Sequence, residues 1–368
     1  MGSKQHRHQT ILIVSDAVSQ STALACLPMI FRTKTLSTNR LSGAALDDSS
    51  LVIFDLTGMS GSKIAATRSL FSQHPSIPKI CIVDKSNRRE MVQAEAMGTG
   101  FLFSRDLEVE AFAKSIRIIL KNDDFTPVPD ASSTYTVNVV KTVCGLFDEL
   151  PVFTATSRPL RMKLLLQTAS CIVEALHIEG INVWLDVVNS HHSHTYRHSM
   201  LVTGYAAAFA ELLEFSPSDR DLFVAGALVH DIGKTKIPLS ILDKPGALSP
   251  EEIDLVKMHP VYGDEILSSN KEIDPVVLDL IRHHHEYLDG SGYPDGLSGD
   301  QINPMVRMLT LCDVFSALIE KRSYKDSLSP RQAFTILYEM GRKIDKELLK
   351  KFRVLALEPN LGLTNKSA

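Results

Sequence analysis

Thiol chemistry is scarce in this chain. Its five cysteines, Cys26, Cys81, Cys144, Cys171 and Cys312, are odd in number, widely spaced and set in apolar surroundings. That pattern argues against a disulfide framework or a thiolate zinc site, and for buried reduced thiols. An excess of charge of one sign is missing too: the formal net charge is −4, with acids and bases mixed along the chain. A binder of duplex nucleic acid would carry a basic footprint, so that class finds no support. No apolar run reaches membrane-spanning length, and the N-terminus has no signal-peptide core. These absences predict a cytoplasmic protein with no membrane partner. Internal repeats and low-complexity tracts are also absent.

Histidine is what the chain has in excess, and in one place. Nine of the thirteen histidines lie between His191 and His285. Neutral imidazole and carboxylate are the usual ligands of first-row divalent metals. The set His198, His230-Asp231, His259, His284-His285 and Asp313 therefore points to a metal site built from successive helices. Any one of these residues alone would more often be a hydrogen-bonded core or surface group. Recurrence on five consecutive helices, with two adjacent pairs, is what favours the metal. Asp313 lies in a nearly apolar helix, where an unpaired carboxylate is costly and needs a cation. Taken alone, such an aspartate would more often pair with a lysine or arginine, for which Arg307 is a candidate.

With 368 residues and a hydrophobic share of 44%, the chain has room for two packed domains. Short apolar runs at 11–14, 51–56, 79–83 and 100–103 read as buried strands of a parallel sheet. Amphipathic stretches lie between them, with a closing helix over 108–120. That rhythm predicts an α/β sandwich over residues 1–121. Residues 122–133, rich in Asp, Pro and Ser, read as a linker. Helices follow, over 137–150, 158–176 and 181–188 within a connecting region 134–190. They continue through a helical bundle over 191–357, to a frayed tail over 358–368. Within the bundle, helices are expected over 198–213 and 221–231. Ser249-Pro250-Glu251-Glu252 is a capping box that opens the helix leading to His259.

Over roughly residues 9–121 the strands and acids resemble a response-regulator receiver domain, of flavodoxin-like fold. Asp16 follows the first strand, as a metal-binding acid would, and Asp55 ends the 51–56 strand where the phosphoacceptor sits. The likeness then fails. Val83-Asp84 stands where the family has a hydroxyl residue, and Ser104 stands where it has a lysine. Without that lysine a phosphoryl group on Asp55 loses its cationic partner. The expectation is a degenerate receiver used for dimerisation or for docking other signalling proteins.

From about Thr195 to Phe352 the sequence resembles the HD-GYP family of bacterial cyclic di-GMP phosphodiesterases, within the wider HD superfamily. The motifs are His198-Ser199, Leu228 to Lys234 (Leu-Val-His-Asp-Ile-Gly-Lys), Lys244-Pro245-Gly246 and His259 to Gly263. They continue with His284 to Pro294, ending in Gly292-Tyr293-Pro294, and with Arg307 and Asp313. His-Asp alone is common among nucleotide hydrolases; the motif that ends in Gly-Tyr-Pro is specific. The expected fold is thus multidomain, a receiver-like α/β sandwich followed by an all-α HD-GYP bundle.

The resemblance implies two divalent metals, iron or manganese by preference. One would be held by His198, His230, Asp231 and Asp313, the other by Asp231, His259, His284 and His285. It implies hydrolysis of cyclic di-GMP to linear pGpG, or onward to GMP by a second cut. Asp231 and Lys234 are the expected catalytic pair, Lys234 acting at the attacked phosphate. Gly292 and Tyr293 would bring backbone and phenol against the substrate. Arg322 and Lys325 resemble an Arg-Pro-Tyr-Arg/Lys element, with Ser323 in place of proline, and would clamp the second phosphate. Some members carry Glu four residues before the first His and bind a third metal. His194 stands there, so two metals are expected, with His194 an extra contact only if its helix reaches back that far. Two other readings stay open. One is a cyclic di-GMP sensor or docking module with little turnover; the other is an HD hydrolase of another cyclic dinucleotide or nucleotide.

Overall fold

The structure is a computed structural model that describes residues 9–17, 21–97, 99–120, 134–190, 194–244, 246–320 and 327–358. The chain divides into two compact units, Met1–Asn122 with Pro238–Lys244, and Asp123–Ile237 with Pro245–Ala368.

In the first unit, strands β1 (Ile11–Val14), β2 (Thr33–Leu36), β3 (Leu51–Asp55), β4 (Lys79–Val83) and β5 (Phe101–Ser104) form one parallel sheet. Its order is β2-β1-β3-β4-β5. The helices of this α/β part are α1 (Thr22–Ile30), α2 (Gly43–Asp47), α3 (Gly61–Ser72), α4 (Arg88–Ala96) and α5 (Val109–Leu120). The order is the flavodoxin-like one expected of a receiver-like domain. β1, β3 and β4 are buried throughout, which is why they read as unbroken apolar runs. β2, with sequence Thr-Lys-Thr-Leu, escaped the hydropathy reading. It is an edge strand with no fully buried residue, paired only to β1 from Ile11↔Thr33 onward. Serine or asparagine caps begin α1, α2, α3 and α4, each accepting from a backbone N–H of the first turn. Asp16 and Asp55 lie at the carboxyl ends of β1 and β3.

The helical unit starts with α6 (Thr134–Thr156) and α7 (Met162–Asn189), the latter broken at Gly180, where φ is 81°. α8 (His194–Leu212), α9 (Pro217–Val229) and a 3-10 turn (Ile232–Lys236) follow. After α10 (Leu239–Leu242) come α11 (Pro250–Lys257), α12 (His259–Ser268), α13 (Pro275–His283), α14 (Pro304–Ile319), α15 (Pro330–Glu339) and α16 (Lys346–Leu357). Five of these helices begin with a polar cap followed by proline: Ser216-Pro217, Ser249-Pro250, Asp274-Pro275, Asn303-Pro304 and Ser329-Pro330. Proline costs nothing at the first helical position and cannot continue a preceding helix, so each pair sets a sharp boundary. The expected capping box at Ser249 forms, with Ser249 N donating to Glu252 Oε2 at 2.7 Å. The core is aromatic at its centre. Phe352 packs on Phe209 and Phe315 with ring centroids 5.2 Å apart in both cases. No helix among the described residues is long and apolar enough to cross a membrane.

Candidate metal centre

Three of the expected ligands sit where a helix has just ended. His230 caps α9, His259 follows the last turn of α11, and His284 caps α13. The carbonyls of a final helical turn lack helical partners. Each imidazole uses one of them: Nδ1 of His230, His259 and His284 meets the carbonyl three residues earlier, Ala227, Val256 and Ile281, at 2.7–2.8 Å. A carbonyl only accepts, so Nδ1 carries the proton in each ring and Nε2 is left as a bare lone pair.

Those lone pairs converge. His259 Nε2 and His284 Nε2 lie 3.2 Å apart, two acceptors facing each other with no proton between them. His230 Nε2 and Asp231 Oδ1 are buried without a hydrogen-bond partner. Buried polar atoms are rarely left so, and a cation among them satisfies all. The donors fall into overlapping sets: His259, His284 and His285; His198, His230 and Asp313; and His230, Asp231 and His284. Asp231 stands between. Its Oδ2 lies 3.4 Å from His230 Nε2 and 3.9 Å from His198 Nε2. Its Oδ1 lies 3.1 Å from His259 Nε2 and 4.0 Å from His284 Nε2. One carboxylate oxygen therefore faces each set, an arrangement fit for two ions that share a ligand.

The electrostatics suit cation binding. Burial opposes charge on Asp231, yet the Lys234 ammonium and the His230 ring beside it hold its carboxyl well below the usual range. Burial likewise works against Asp313, and its bond to His198 with the nearby imidazoles still pulls it below the ordinary carboxylate value. Burial pushes His285 down to about 3, and burial with neighbouring imidazoles lowers His284 strongly. Both rings are thus neutral and ready to ligate near neutral pH.

Asp313 does not pair with Arg307. Its Oδ1 lies 3.0 Å from His198 Nε2 and its Oδ2 lies 3.5 Å from His285 Nδ1. Arg307 instead donates to the carbonyls of Ile302 and Gly299 and to Asp345. Six residues of helix separate Arg307 from Asp313, which turns the two onto different faces. Lys234 reaches back to Asp231 Oδ2 at 2.5 Å from the 3-10 turn.

Two glycines hold the backbone of the site together by having no side chain. A Cβ on Gly233 would lie 1.8 Å from the His259 carbonyl oxygen, so the turn after Asp231 rests directly on the start of α12. A Cβ on Gly292 would lie 2.5 Å from Glu286 Cα and Tyr287 N. The loop carrying Tyr293 thereby seats on the segment that carries His284 and His285. Tyr293 N donates to the His285 carbonyl, and its ring stacks on His285 with centroids 4.8 Å apart.

Glu286 had no role in the sequence reading, though its place beside the paired histidines was a signal. It is buried, and its carboxylate accepts from the backbone N–H groups of Asp295, Gly296 and Leu297 at 2.7–3.1 Å. Arg282 then grips the Asp295 side chain through Nε and an Nη, and His283 Nε2 meets it at 3.0 Å. His283 is thus a brace of the loop. α8 opens at His194, one turn ahead of His198. His191, His192, Arg322, Lys325 and the linker 122–133 lie outside the described residues.

In the first unit Asp55 is fully buried at the end of β3. Thr57 donates to its Oδ1 from the backbone at 3.1 Å and from the hydroxyl at 2.5 Å. Asp16 is held by Lys63 at 2.8 Å and by Thr38. A cation stands one residue beyond Ser104 and is bonded to Glu90. Arg105 Nη2 lies 3.9 Å from Asp55 Oδ1 and 2.8 Å from Glu90. Ser104 remains the residue at the lysine position, and the Arg105 backbone N–H after it bonds to the Val83 carbonyl.

Residues 182–348 match the family model described as HD domain, and this part of the chain is an HD domain. It is related, more narrowly, to the HD-GYP phosphodiesterases. Cyclic di-GMP phosphodiesterase PA4108 of Pseudomonas aeruginosa is 38% identical over 43% of this chain and 38% of its own length. The cyclic di-GMP phosphodiesterase response regulator RpfG of Xanthomonas campestris is 41% identical over 38% of each. The 3'3'-cGAMP-specific phosphodiesterase 2 of Vibrio cholerae is 36% identical over 48% of this chain and 37% of its own length. The matches span less than two fifths of each of these relatives.

Proposed function

We propose that the chain is a metal-dependent phosphodiesterase that opens cyclic di-GMP to linear pGpG. The observation that carries this reading is Asp231, one oxygen toward each of two sets of bare imidazole nitrogens. Divalent ions held by His198, His230, Asp231 and Asp313, and by Asp231, His259, His284 and His285, would supply polarisation of the phosphodiester and acidification of water. The chain's own part is orientation and charge. Helix-end carbonyls hold His230, His259 and His284 with Nε2 inward. Lys234 brings a cation to the edge of the set, placed to steady an anionic phosphate. Tyr293 is held flat against His285 by the Gly292 contact and by Glu286, where its ring and phenol would bound the substrate. Arg322 and Lys325 are proposed to grip the second phosphate.

The similarity to both cyclic di-GMP and 3'3'-cGAMP enzymes supports a cyclic dinucleotide, and gives 3'3'-cGAMP as the second reading. Protein loaded with Mn(II) or Fe(II) is incubated with each dinucleotide and the products are separated by chromatography. Linear pGpG that disappears in His230→Ala supports the proposal. Cleavage of 3'3'-cGAMP alone moves it to the second reading, and tight binding without turnover makes the chain a sensor.

A further inference from the structure

His198 differs from the other site histidines. It lies in the second turn of α8 rather than at a helix end, so the carbonyls before it are taken by the helix itself. Its Nε2 faces Asp313 at 3.0 Å and Asp231 at 3.9 Å; with an ion held among these groups, as the dinuclear reading has it, Nε2 would be the ligating atom and Nδ1 would carry the proton. That Nδ1 is buried with no hydrogen-bond partner. The nearest carboxylate is Glu320, whose Oε2 lies 3.8 Å away. Glu320 is buried at the end of α14, and Arg197 donates to its other oxygen from Nε at 3.4 Å.

Seven residues, two helical turns, separate Asp313 from Glu320, which puts both carboxylates on one face of α14. His198 is thereby flanked by a carboxylate on each ring nitrogen, both from the same helix. Histidines that ligate metals donate their other N–H to a carboxylate or carbonyl, which fixes the ring and raises its basicity. Arg197 offsets the cost of burying Glu320.

We infer that Glu320, held by Arg197, is the positioning residue of His198, doing for that ring what helix-end carbonyls do for His230, His259 and His284. The inference rests on the dinuclear reading above. It makes the His198 side of the centre selectively sensitive to Glu320.

The test is Mn(II) binding to the metal-free full chain, followed by calorimetry and by electron paramagnetic resonance, in wild type, Glu320→Gln and Glu320→Ala. The wild type is expected to take up two ions with the signature of a coupled pair. Loss of an outer partner costs about 10–100-fold in metal affinity. The glutamine variant, which keeps a neutral acceptor, belongs at the shallow end of that range and the alanine variant at the deep end. Only one of the two ions should weaken, and the coupled signal should give way to a single-ion signal. Wild-type affinity for both ions in both variants overturns the inference, even if their melting temperatures fall. If the alanine variant does not fold, the glutamine variant decides alone, and unchanged affinity there overturns it. A wild type that binds no Mn(II) overturns the dinuclear reading and this inference with it.

Discussion

Each unit of the chain buries an aspartate, and the two are completed in opposite ways. Asp55 has its needs met by protein: Thr57 donates twice, Arg105 stands close, and the neighbouring Asp16 is tied to Lys63 and Thr38. Asp231 has one protein cation, Lys234, on Oδ2, while Oδ1 and His230 Nε2 are buried without hydrogen-bond partners. The same residue type thus marks a pocket that is electrostatically closed in one place and open in the other. An open pocket of acceptors needs an external cation; a closed one does not.

The contrast can be broken most severely at its open end. Asp231→Asn removes the carboxylate that both donor sets share, and kcat/KM for the dinucleotide should fall by at least about a hundredfold, the most that loss of even an outer partner of a metal ligand costs. Bound manganese, counted by atomic absorption, should fall with it. Chelation comes next. An ion present at a hundred times its Kd adds about 2.7 kcal/mol to the fold that binds it. In a domain of this size that is a rise of roughly 5–10 °C in melting temperature. A chelator should therefore lower the melting of the helical unit and leave that of the α/β unit in place, as read by calorimetry. Equal shifts in both would erase the distinction.

A smaller effect is expected from Glu286→Ala. Three backbone N–H groups lose a charged acceptor, a cost of about 1–3 kcal/mol. The KM for the dinucleotide should rise while metal content stays at two ions, because the change frees the loop and leaves the ligands. Metal loss in this variant would place Glu286 in the centre instead. Smallest of all is Asp55→Asn, which should leave phosphodiesterase activity nearly unchanged; a large loss in the steady-state assay would show that the closed pocket controls the open one.

Much of this was legible in the sequence because it is local or periodic. The central strands are continuous apolar runs, and the metal-site residues stand out by type and by spacing on successive helices. What was not legible depends on distance in the chain or on which way a side chain turns. β2 hides because an edge strand need not be apolar. Arg105 was not singled out because it approaches Asp55 from one residue beyond the position compared, where only a long side chain reaches. Glu320 meets residues 122 and 123 positions earlier, and no spacing rule links them. Arg307, a candidate for Asp313 by proximity in sequence, is turned elsewhere by helical rotation.

The seating of Gly292 on the backbone of Glu286 and Tyr287 has a consequence for how this protein can change. Under the proposed function, metal ligands and the loop that would bound the substrate lie on one short ribbon of chain, so an edit at positions 284–287 would alter both at once. Selection for a new substrate would have freer play away from that ribbon, in the outer bend where Ser291 bonds back to the Asp289 side chain.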